Sequence, residues 1–366
     1  MTARPRRPGH LWRPFAACLA LLAAQHAAAA LTPRLRPQAG DASARVAQVV
    51  GRVRAGAGGE ETLREALALG HALVAARRYA EAEQLYGALV ERWPREPSAL
   101  YGAALAAFNL GRAREAEPLA RASADISLAA SAEPKASPEV SAARMRGAAD
   151  ALVLLGVILA VRGDDAAALK TVERAAALAP EHFDAQFALG RARYGAGDVA
   201  GAVRAFRAAV ALRPDDARAL FFHATALERA GETERALAAY RELAARHPNL
   251  ADGHLGLGAL LYKRGGEGAR EAVEALRRAV SLNPNLYEAR VTLGRALVSL
   301  GRAEESIEHL RRAAELAPNN PEPHYQLALA YRRLGRREDA ARESAIVRRI
   351  HEARRAGANP PAPGAP

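Results

Sequence analysis

A glycine recurs through this sequence at a nearly constant interval of 34 residues. The recurring glycines are Gly111, Gly163, Gly197, Gly231, Gly265, Gly301 and Gly335, spaced by 52, 34, 34, 34, 36 and 34 residues. Prolines recur in step with them, at Pro94, Pro180, Pro214, Pro248, Pro284 and Pro318. A self-similar period of this length indicates a protein built from stacked repeat units, none of which can bury its apolar side alone.

Each repeat unit has the sequence features of two helices joined at the glycine. The glycine adopts the left-handed conformation that ends a helix, and the proline ends the second helix. Asp216, Asn285 and Asn320 stand near the start of the following helix, where such side chains act as caps. A small residue at a fixed place in each first helix allows close helix approach; these are Gly70, Ala104, Gly156, Gly190, Ala224, Gly258, Gly294 and Ala328.

The order of large, small and proline positions resembles the tetratricopeptide repeat. Within 217–250 that pattern is carried by Leu220, Ala224, Leu227, Ala236, Tyr240, Leu243 and Pro248. We distinguish eight repeat units, at 63–96, 97–123, 149–182, 183–216, 217–250, 251–286, 287–320 and 321–354. The resemblance implies an all-α fold, a right-handed superhelical solenoid of about eight helix-turn-helix units.

Several segments depart from the regular repeat. Arg77 replaces the glycine of the first repeat unit, and Gly265 with Gly266 marks a two-residue insertion in the sixth. The insertion at 124–148 separates repeat units 1 and 2 (63–123) from units 3 to 8 (149–355). We predict that the insertion forms a loop followed by a helix that begins at Pro138. The insertion is either a surface loop or a hinge between the two sub-arrays.

Both ends of the repeat array are predicted to be capped. In the linker at 31–62, Val46, Val49, Val50 and Val53 share one helical face. This pattern predicts a short helix that caps the first repeat unit, or alternatively a segment that docks on a partner. The last helix extends the array to residue 355 as a terminal cap, and 356–366, rich in proline, glycine and alanine, is predicted to be disordered.

The first 30 residues have the three-part pattern of a secretory signal peptide. Four arginines precede the apolar run Phe15–Ala24, and the alanines before Leu31 offer cleavage sites. The run is shorter than the roughly 20 residues that span a bilayer, so we expect cleavage, with an uncleaved membrane anchor as the alternative. Because Cys18 is the only cysteine, the cleaved chain has no thiol for disulfides, catalysis or metal binding.

The net charge of +12 does not indicate nucleic-acid binding once it is located along the chain. The first 30 residues carry +4, residues 31–58 another +4 and the segment from residue 354 carries +2, which leaves +2 for the repeat array. A nucleic-acid surface needs its basic residues concentrated on the folded face. We therefore expect no nucleic-acid partner, and membrane contact only if the leader is retained.

The resemblance also implies a binding surface, since the first helix of each repeat unit lines the concave side in this family. Carried over to this chain, the groove positions hold the aromatic residues and arginines Tyr101, Phe108, Phe187, Arg191, Tyr194, Arg218, Phe221, Tyr262, Arg295 and Tyr325. Aromatic rings beside forked cations suit an extended peptide or a partner helix. The alternative is that some of these aromatics pack between neighbouring first helices.

No sequence motif indicates catalysis. There is no nucleotide-binding loop, no metalloprotease motif and no nucleophile elbow, so we expect a protein that is not an enzyme and that holds no cofactor or metal. The leader and the repeats together predict an exported scaffold or adaptor of the cell envelope, periplasmic or secreted, whose partners are proteins or peptide segments. The alternative is an accessory or regulatory subunit that positions a single exported enzyme, in cytochrome maturation or cell-wall processing.

Overall fold

The computed structural model describes residues 39–356 apart from Lys135; the side chains of residues 39–42 and Glu267 are not described. The predicted leader at 1–30 and nearly all of the predicted tail at 356–366 lie outside the described residues. Within the described part the regular structure is helical, with no strand. The chain divides after Leu212 into two compact bodies, which we call the N-terminal body (39–212) and the C-terminal body (213–356).

The N-terminal body consists of one helix followed by four helical hairpins. Its helices are α1 (Ala39–Arg54), α2 (Gly59–Ala75), α3 (Tyr79–Arg92), α4 (Pro97–Asn109), α5 (Ala113–Ser131), α6 (Pro138–Val161), α7 (Asp165–Leu178), α8 (Phe183–Ala196) and α9 (Val199–Leu212). The hairpins are α2–α3, α4–α5, α6–α7 and α8–α9. Consecutive helices pack against each other along the body.

The C-terminal body consists of four further hairpins. Its helices are α10 (Ala217–Arg229), α11 (Thr233–Arg246), α12 (Ala251–Arg264), α13 (Ala269–Leu282), α14 (Tyr287–Ser299), α15 (Ala303–Leu316), α16 (Pro321–Arg333) and α17 (Arg337–Arg355). A short 3₁₀ helix, Gly266–Gly268, lies at the predicted insertion in the sixth repeat unit. The eight predicted repeat units are thus confirmed as eight hairpins, and the all-α repeat architecture is confirmed with them. None of the helices in the described part is both long and apolar enough to cross a membrane.

The glycines that end the first helices have positive φ, as predicted, although Gly265 of the sixth repeat unit has ψ of −162° and so lies outside the left-handed helical region. Gly231 has φ of 79°, its N–H donates to Glu228 O, and the N–H of Glu232 donates to Leu227 O. These two bonds close the last turn of the first helix in the Schellman arrangement. Arg77 makes the equivalent bond to Val74 O with φ of 59°, so the hairpin that lacks the glycine adopts the same turn with a side chain in a disfavoured region.

The predicted capping residues behave in two ways. Asp216 accepts the N–H groups of Arg218 and Ala219 at 3.0 and 3.1 Å, and Asn320 accepts that of Glu322 at 3.1 Å. Both are N-caps, as predicted. Asn285 lies one residue before the cap position of α14, and its amide oxygen instead accepts a hydrogen bond from Arg312 at 2.9 Å.

Helix α1 lies within the predicted linker at 31–62. Val46, Val49 and Val53 are at most 2% exposed, since α1 packs on α2 and α3. Ser43 of α1 donates to Glu81 of α3 at 2.7 Å, which adds a polar contact at the edge of that apolar seam. Helix α17, the predicted terminal cap, continues to Arg355 and buries Ile350.

The insertion at 124–148 is mostly helical. Helix α5 continues to Ser131 and α6 begins at Pro138, so the loop between them covers only residues 132–137. Arg144 of α6 donates to the carbonyl of Ala130 and pairs with Glu133 at 2.9 Å. The helix from Pro138 agrees with the prediction, whereas the loop is much shorter than expected. Both sides of the insertion belong to the N-terminal body, whose boundary lies at Leu212.

In the N-terminal body, a buried tyrosine fixes the spacing between two hairpins. Tyr86 of α3 is fully buried, and its ring lies against Gly70 of α2 on one side and Gly102 of α4 on the other. A Cβ atom added at either glycine would overlap with the ring. The close approach of α2 and α4 to this ring therefore depends on the absence of both side chains.

In the C-terminal body, an arginine of each second helix binds the loop that precedes its own hairpin. The pairs are Arg246 with Asp215 at 2.6 Å, Arg278 with Asn249 at 3.2 Å, Arg312 with Asn285 at 2.9 Å and Arg354 with the carbonyl of Asn319 at 2.6 Å. These contacts are exposed, so each contributes little on its own. Their repetition nevertheless gives every loop between hairpins in this body the same polar anchor.

We expect Arg77→Gly to stabilise the protein by about 0.5–1 kcal/mol. Replacing a non-glycine residue in the left-handed conformation by glycine removes steric strain and gains roughly 1–2 kcal/mol of stability. About 0.5–1 kcal/mol of this gain is offset by the greater freedom of glycine in the unfolded chain. The measurement is the shift of the urea unfolding midpoint. The matched control is Arg64→Gly in the exposed middle of α2, which we expect to destabilise by roughly 1 kcal/mol; a destabilising Arg77→Gly would contradict the strain argument.

We expect Gly102→Ala to destabilise the protein by about 1–3 kcal/mol, because the added methyl group overpacks the site against the Tyr86 ring. The same unfolding experiment measures this. Gly87→Ala in α3 is the matched control, since nothing lies within 4 Å of the position of its Cβ; this variant should gain up to roughly 1 kcal/mol of helix propensity. Equal effects of the two alanines would show that the ring does not set the helix spacing.

Candidate functional site

The predicted groove residues lie on the first helices of the hairpins, namely α4 and α8 in the N-terminal body and α10, α12, α14 and α16 in the C-terminal body. Side chains that lie three or four residues apart share a helix face. Equivalent positions in consecutive hairpins therefore form rows across the first helices of each body. The exposure of each predicted residue decides whether it belongs to a surface or to the core.

Two of the predicted residues in the N-terminal body are buried. Phe187 is 2% exposed; it stacks on Phe183 at 5.8 Å and meets Phe206 edge-on at 5.7 Å between ring centroids. Arg191 is 7% exposed. The Phe187 ring fills the space between α8 and α9, as in the packing alternative, and Arg191 is buried in α8.

The other predicted residues of this body are half-buried. Tyr101 and Phe108 of α4 pack against the apolar core, and Tyr194 of α8 is also half-buried. Burial raises the pKa of Tyr101 well above its ordinary value, and the charges of Asp150 and Asp184 raise it further.

In α10 the predicted residues have structural partners. Arg218 donates to both carboxylate oxygens of Asp216, at 3.1 and 2.6 Å, and so reinforces the cap of its own helix. Phe221 is half-buried and lies edge-on to Phe222 and Tyr240, with centroids 5.7 and 6.4 Å apart. This part of the predicted groove is a packed aromatic cluster with only its edge accessible.

An open, chemically mixed surface is found further along the C-terminal body. The guanidinium of Arg295 in α14 lies 5.6 Å from the ring centroid of Tyr262 in α12, and its Nε is 3.9 Å from a carboxylate oxygen of Glu322 in α16. Tyr325, one turn along α16 from Glu322, is 52% exposed. We call this surface, defined by Tyr262, Arg295, Glu322 and Tyr325, the α12–α14–α16 face.

A row of carboxylates borders this face, and the sequence reading did not select it. The second residues of α12, α14 and α16 are Asp252, Glu288 and Glu322. Acidic residues in a first helical turn are favoured by the helix dipole, which is why they attract little notice in a sequence. The signal that identifies them is their identical place in three consecutive hairpins.

A buried hydroxyl lies next to two of these carboxylates. The Oη atom of Tyr287 is buried and has no hydrogen-bond partner among the residues that the structure describes. Burial raises the pKa of Tyr287, and the negative charges of Glu322 and Glu288 raise it further. The face thus combines one exposed and one half-buried aromatic ring, one guanidinium, three carboxylates and a protonated hydroxyl.

A second concavity, of about 500 Å³, lies on α15. Its charged lining consists of Arg290, Arg311 and Arg312 with Glu304, Glu308 and Glu315. These charges balance one another, and Arg312 already pairs with Glu315 at 2.8 Å. No group of three or more histidine, cysteine or acidic side chains in the described part of the chain is placed to hold a metal ion.

Comparisons with solved structures give partial matches. One matched structure, of a protein named MamA, has 21% identity and a TM-score of 0.44, and the match covers 48% of this chain and 94% of that one. MamA from Desulfovibrio magneticus RS-1 has 21% identity and a TM-score of 0.44, with 47% and 96% covered. YrrB, described as a TPR protein with an unusual peptide-binding site, has 20% identity and a TM-score of 0.45, with 50% and 94% covered. No curated protein sequence matches this chain.

Family models match the repeats directly. The model described as tetratricopeptide repeat matches residues 67–132, 187–251 and 223–285, and the model described as TPR repeat matches 294–335. Together these ranges cover more than half of the sequence, and they fall on the hairpins of both bodies. The repeat period, the eight helical hairpins and these matches agree that the chain belongs to the tetratricopeptide repeat family.

Proposed function

We propose that this protein is a non-catalytic scaffold or adaptor of the cell envelope, which holds an extended segment or a helix of a partner protein. The observation that carries the proposal is the α12–α14–α16 face. There Tyr325 is 52% exposed beside the contacting set of Tyr262, Arg295 and Glu322. The proposed binding surface is therefore this face of the C-terminal body, rather than the whole set of first-helix aromatics.

The chemistry of the face supports protein binding. Tyrosine and arginine are the side chains that most often anchor protein interfaces, because they combine a large contact area with hydrogen bonding. Tyr262 and Tyr325 lie on separate hairpins, in α12 and α16, so one bound segment can contact both by crossing the intervening helix. Repeat proteins of this architecture present such extended surfaces across consecutive units.

The location in the envelope rests on the leader at 1–30. If the leader is cleaved before Leu31, the protein recovered from its host will have a new N-terminus there. N-terminal sequencing or intact-mass measurement after cell fractionation tests this. An N-terminus at Met1 in the membrane fraction would support the anchored alternative, and a Met1 protein in the cytosol would refute export.

We expect a Tyr262→Ala/Tyr325→Ala variant to bind its partners at least about tenfold more weakly, since truncating an aromatic anchor commonly costs more than about 1 kcal/mol. The experiment captures partners from an envelope extract with the tagged wild-type protein and with the variant, and identifies them by mass spectrometry. Binding constants are then measured for the recovered partners. Circular dichroism must show that the variant remains helical.

The matched control is Leu300→Ala/Leu334→Ala, which truncates two side chains that are each 37% exposed at the hairpin turns. Loss of partners in the tyrosine variant alone identifies the α12–α14–α16 face as the binding surface. Equal retention by both variants would refute that surface. Recovery of one stoichiometric enzyme whose activity changes on binding would favour an accessory subunit over a general scaffold.

A further inference from the structure

The α12–α14–α16 face has the charge pattern to select its partner. We propose that it binds an extended protein segment carrying at least two arginine or lysine side chains, which pair with the carboxylate row of Asp252, Glu288 and Glu322. This inference rests on the proposed function and specifies the chemistry of the partner.

Two of the three carboxylates are available to a partner. Asp252 and Glu288 are exposed, and neither has an ion-pair partner within the residues described by the structure. Glu322 makes one long contact, of 3.9 Å, to Arg295 and accepts a hydrogen bond from Gln326 at 3.0 Å. The row therefore keeps unneutralised negative charge at Asp252 and Glu288, on two neighbouring hairpins, and a weakly paired carboxylate at Glu322 on the third.

Arg295 shows within the protein how a cation fits this surface. Its guanidinium lies between an aromatic ring and a carboxylate, 5.6 Å from the Tyr262 centroid and 3.9 Å from Glu322. This combines a cation–π contact with a charge pair. Tyr325 offers a second exposed ring on the same helix as Glu322, and no cation of the described chain lies over it. A partner's arginine or lysine supplies the missing cation.

The hydroxyl of Tyr287 provides an independent observation at the same place. Its oxygen is buried without a hydrogen-bond partner in the described structure, and Tyr287 precedes Glu288 in the first turn of α14. Burial and the negative charges of Glu322 and Glu288 raise its pKa. A buried polar atom without a partner is costly. A ligand group inserted between the two carboxylates can satisfy it through a backbone carbonyl, while the ligand's basic side chain neutralises the acids.

The opposite partner chemistry is disfavoured by the same charges. An acidic peptide or a nucleic acid would bring its negative charges against the carboxylate row, and like charges in contact weaken binding. The cations near this face are partly engaged already, since Lys263 pairs with Glu228 at 3.7 Å and Arg295 contacts Glu322. The face thus discriminates by charge as well as by aromatic contact.

The test is a selection of random twelve-residue peptides displayed on phage, against the purified full-length protein, against its Tyr262→Ala/Tyr325→Ala variant and against two charge variants. The first charge variant, Asp252→Asn/Glu288→Gln/Glu322→Gln, neutralises the row. The second, Glu274→Gln/Glu308→Gln/Glu338→Gln, removes three exposed charges from the second helices α13, α15 and α17 and serves as the matched control. The dissociation constants of the enriched peptides are then measured at two salt concentrations.

We expect the enriched peptides to contain two or more basic residues. They should bind the row variant about tenfold more weakly and the control variant unchanged, because each exposed ion pair contributes roughly a factor of two to three. The difference in affinity between the wild-type protein and the row variant should be smaller at high salt, because salt screens the ion pairs. Peptides without arginine or lysine that still depend on Tyr262 and Tyr325 would overturn this inference and leave the proposed function standing. If the binding of no enriched peptide depends on Tyr262 and Tyr325, both this inference and the proposed function are refuted.

Discussion

The structure depends on side chains of the second helices being buried against first helices of two successive hairpins. In the N-terminal body Tyr86 fills the space between Gly70 and Gly102. In the C-terminal body Tyr240 of α11 lies against Gly256 of the next first helix, at the equivalent repeat position. Because each core side chain needs two hairpins around it, a single hairpin has no complete core, and stability arises from stacking.

The same packing determines where function can reside. Each hairpin packs against its neighbours, and its first helix therefore keeps the same position relative to theirs. Residues at one repeat position thus become neighbours across hairpins. Because the first helices α12, α14 and α16 lie side by side, Tyr262, Arg295 and Glu322 form a chain of contacts across three hairpins although they occupy different repeat positions. In the C-terminal body the arginines that anchor the loops hold successive hairpins to the same spacing.

The candidate site was only partly predictable from the sequence. Repeat positions located the first helices, and Tyr262, Arg295 and Tyr325 do lie on an accessible face. Phe187 occupies the same repeat position as Tyr325, yet it is buried between Phe183 and Phe206. Tyr325 lies in the last hairpin of the described chain, whereas Phe187 and Val291, at the same repeat position, have a further hairpin after them and are buried. Exposure at a given repeat position therefore depends on helices that are not adjacent in sequence.

Sequence alone determined the hairpin architecture, since local features specify it: the turn glycines adopt positive φ, the prolines follow the second helices, and the valine face of α1 caps the array. Even Arg77 adopts the glycine conformation, because hairpin packing outweighs the local cost. Tertiary structure alone decided which aromatics are accessible, that the insertion is mainly helix, and that carboxylates of three hairpins border one face. The physical reason is that backbone conformation is encoded within a few neighbouring residues, whereas accessibility and charge surroundings are properties of residues brought together from separate hairpins.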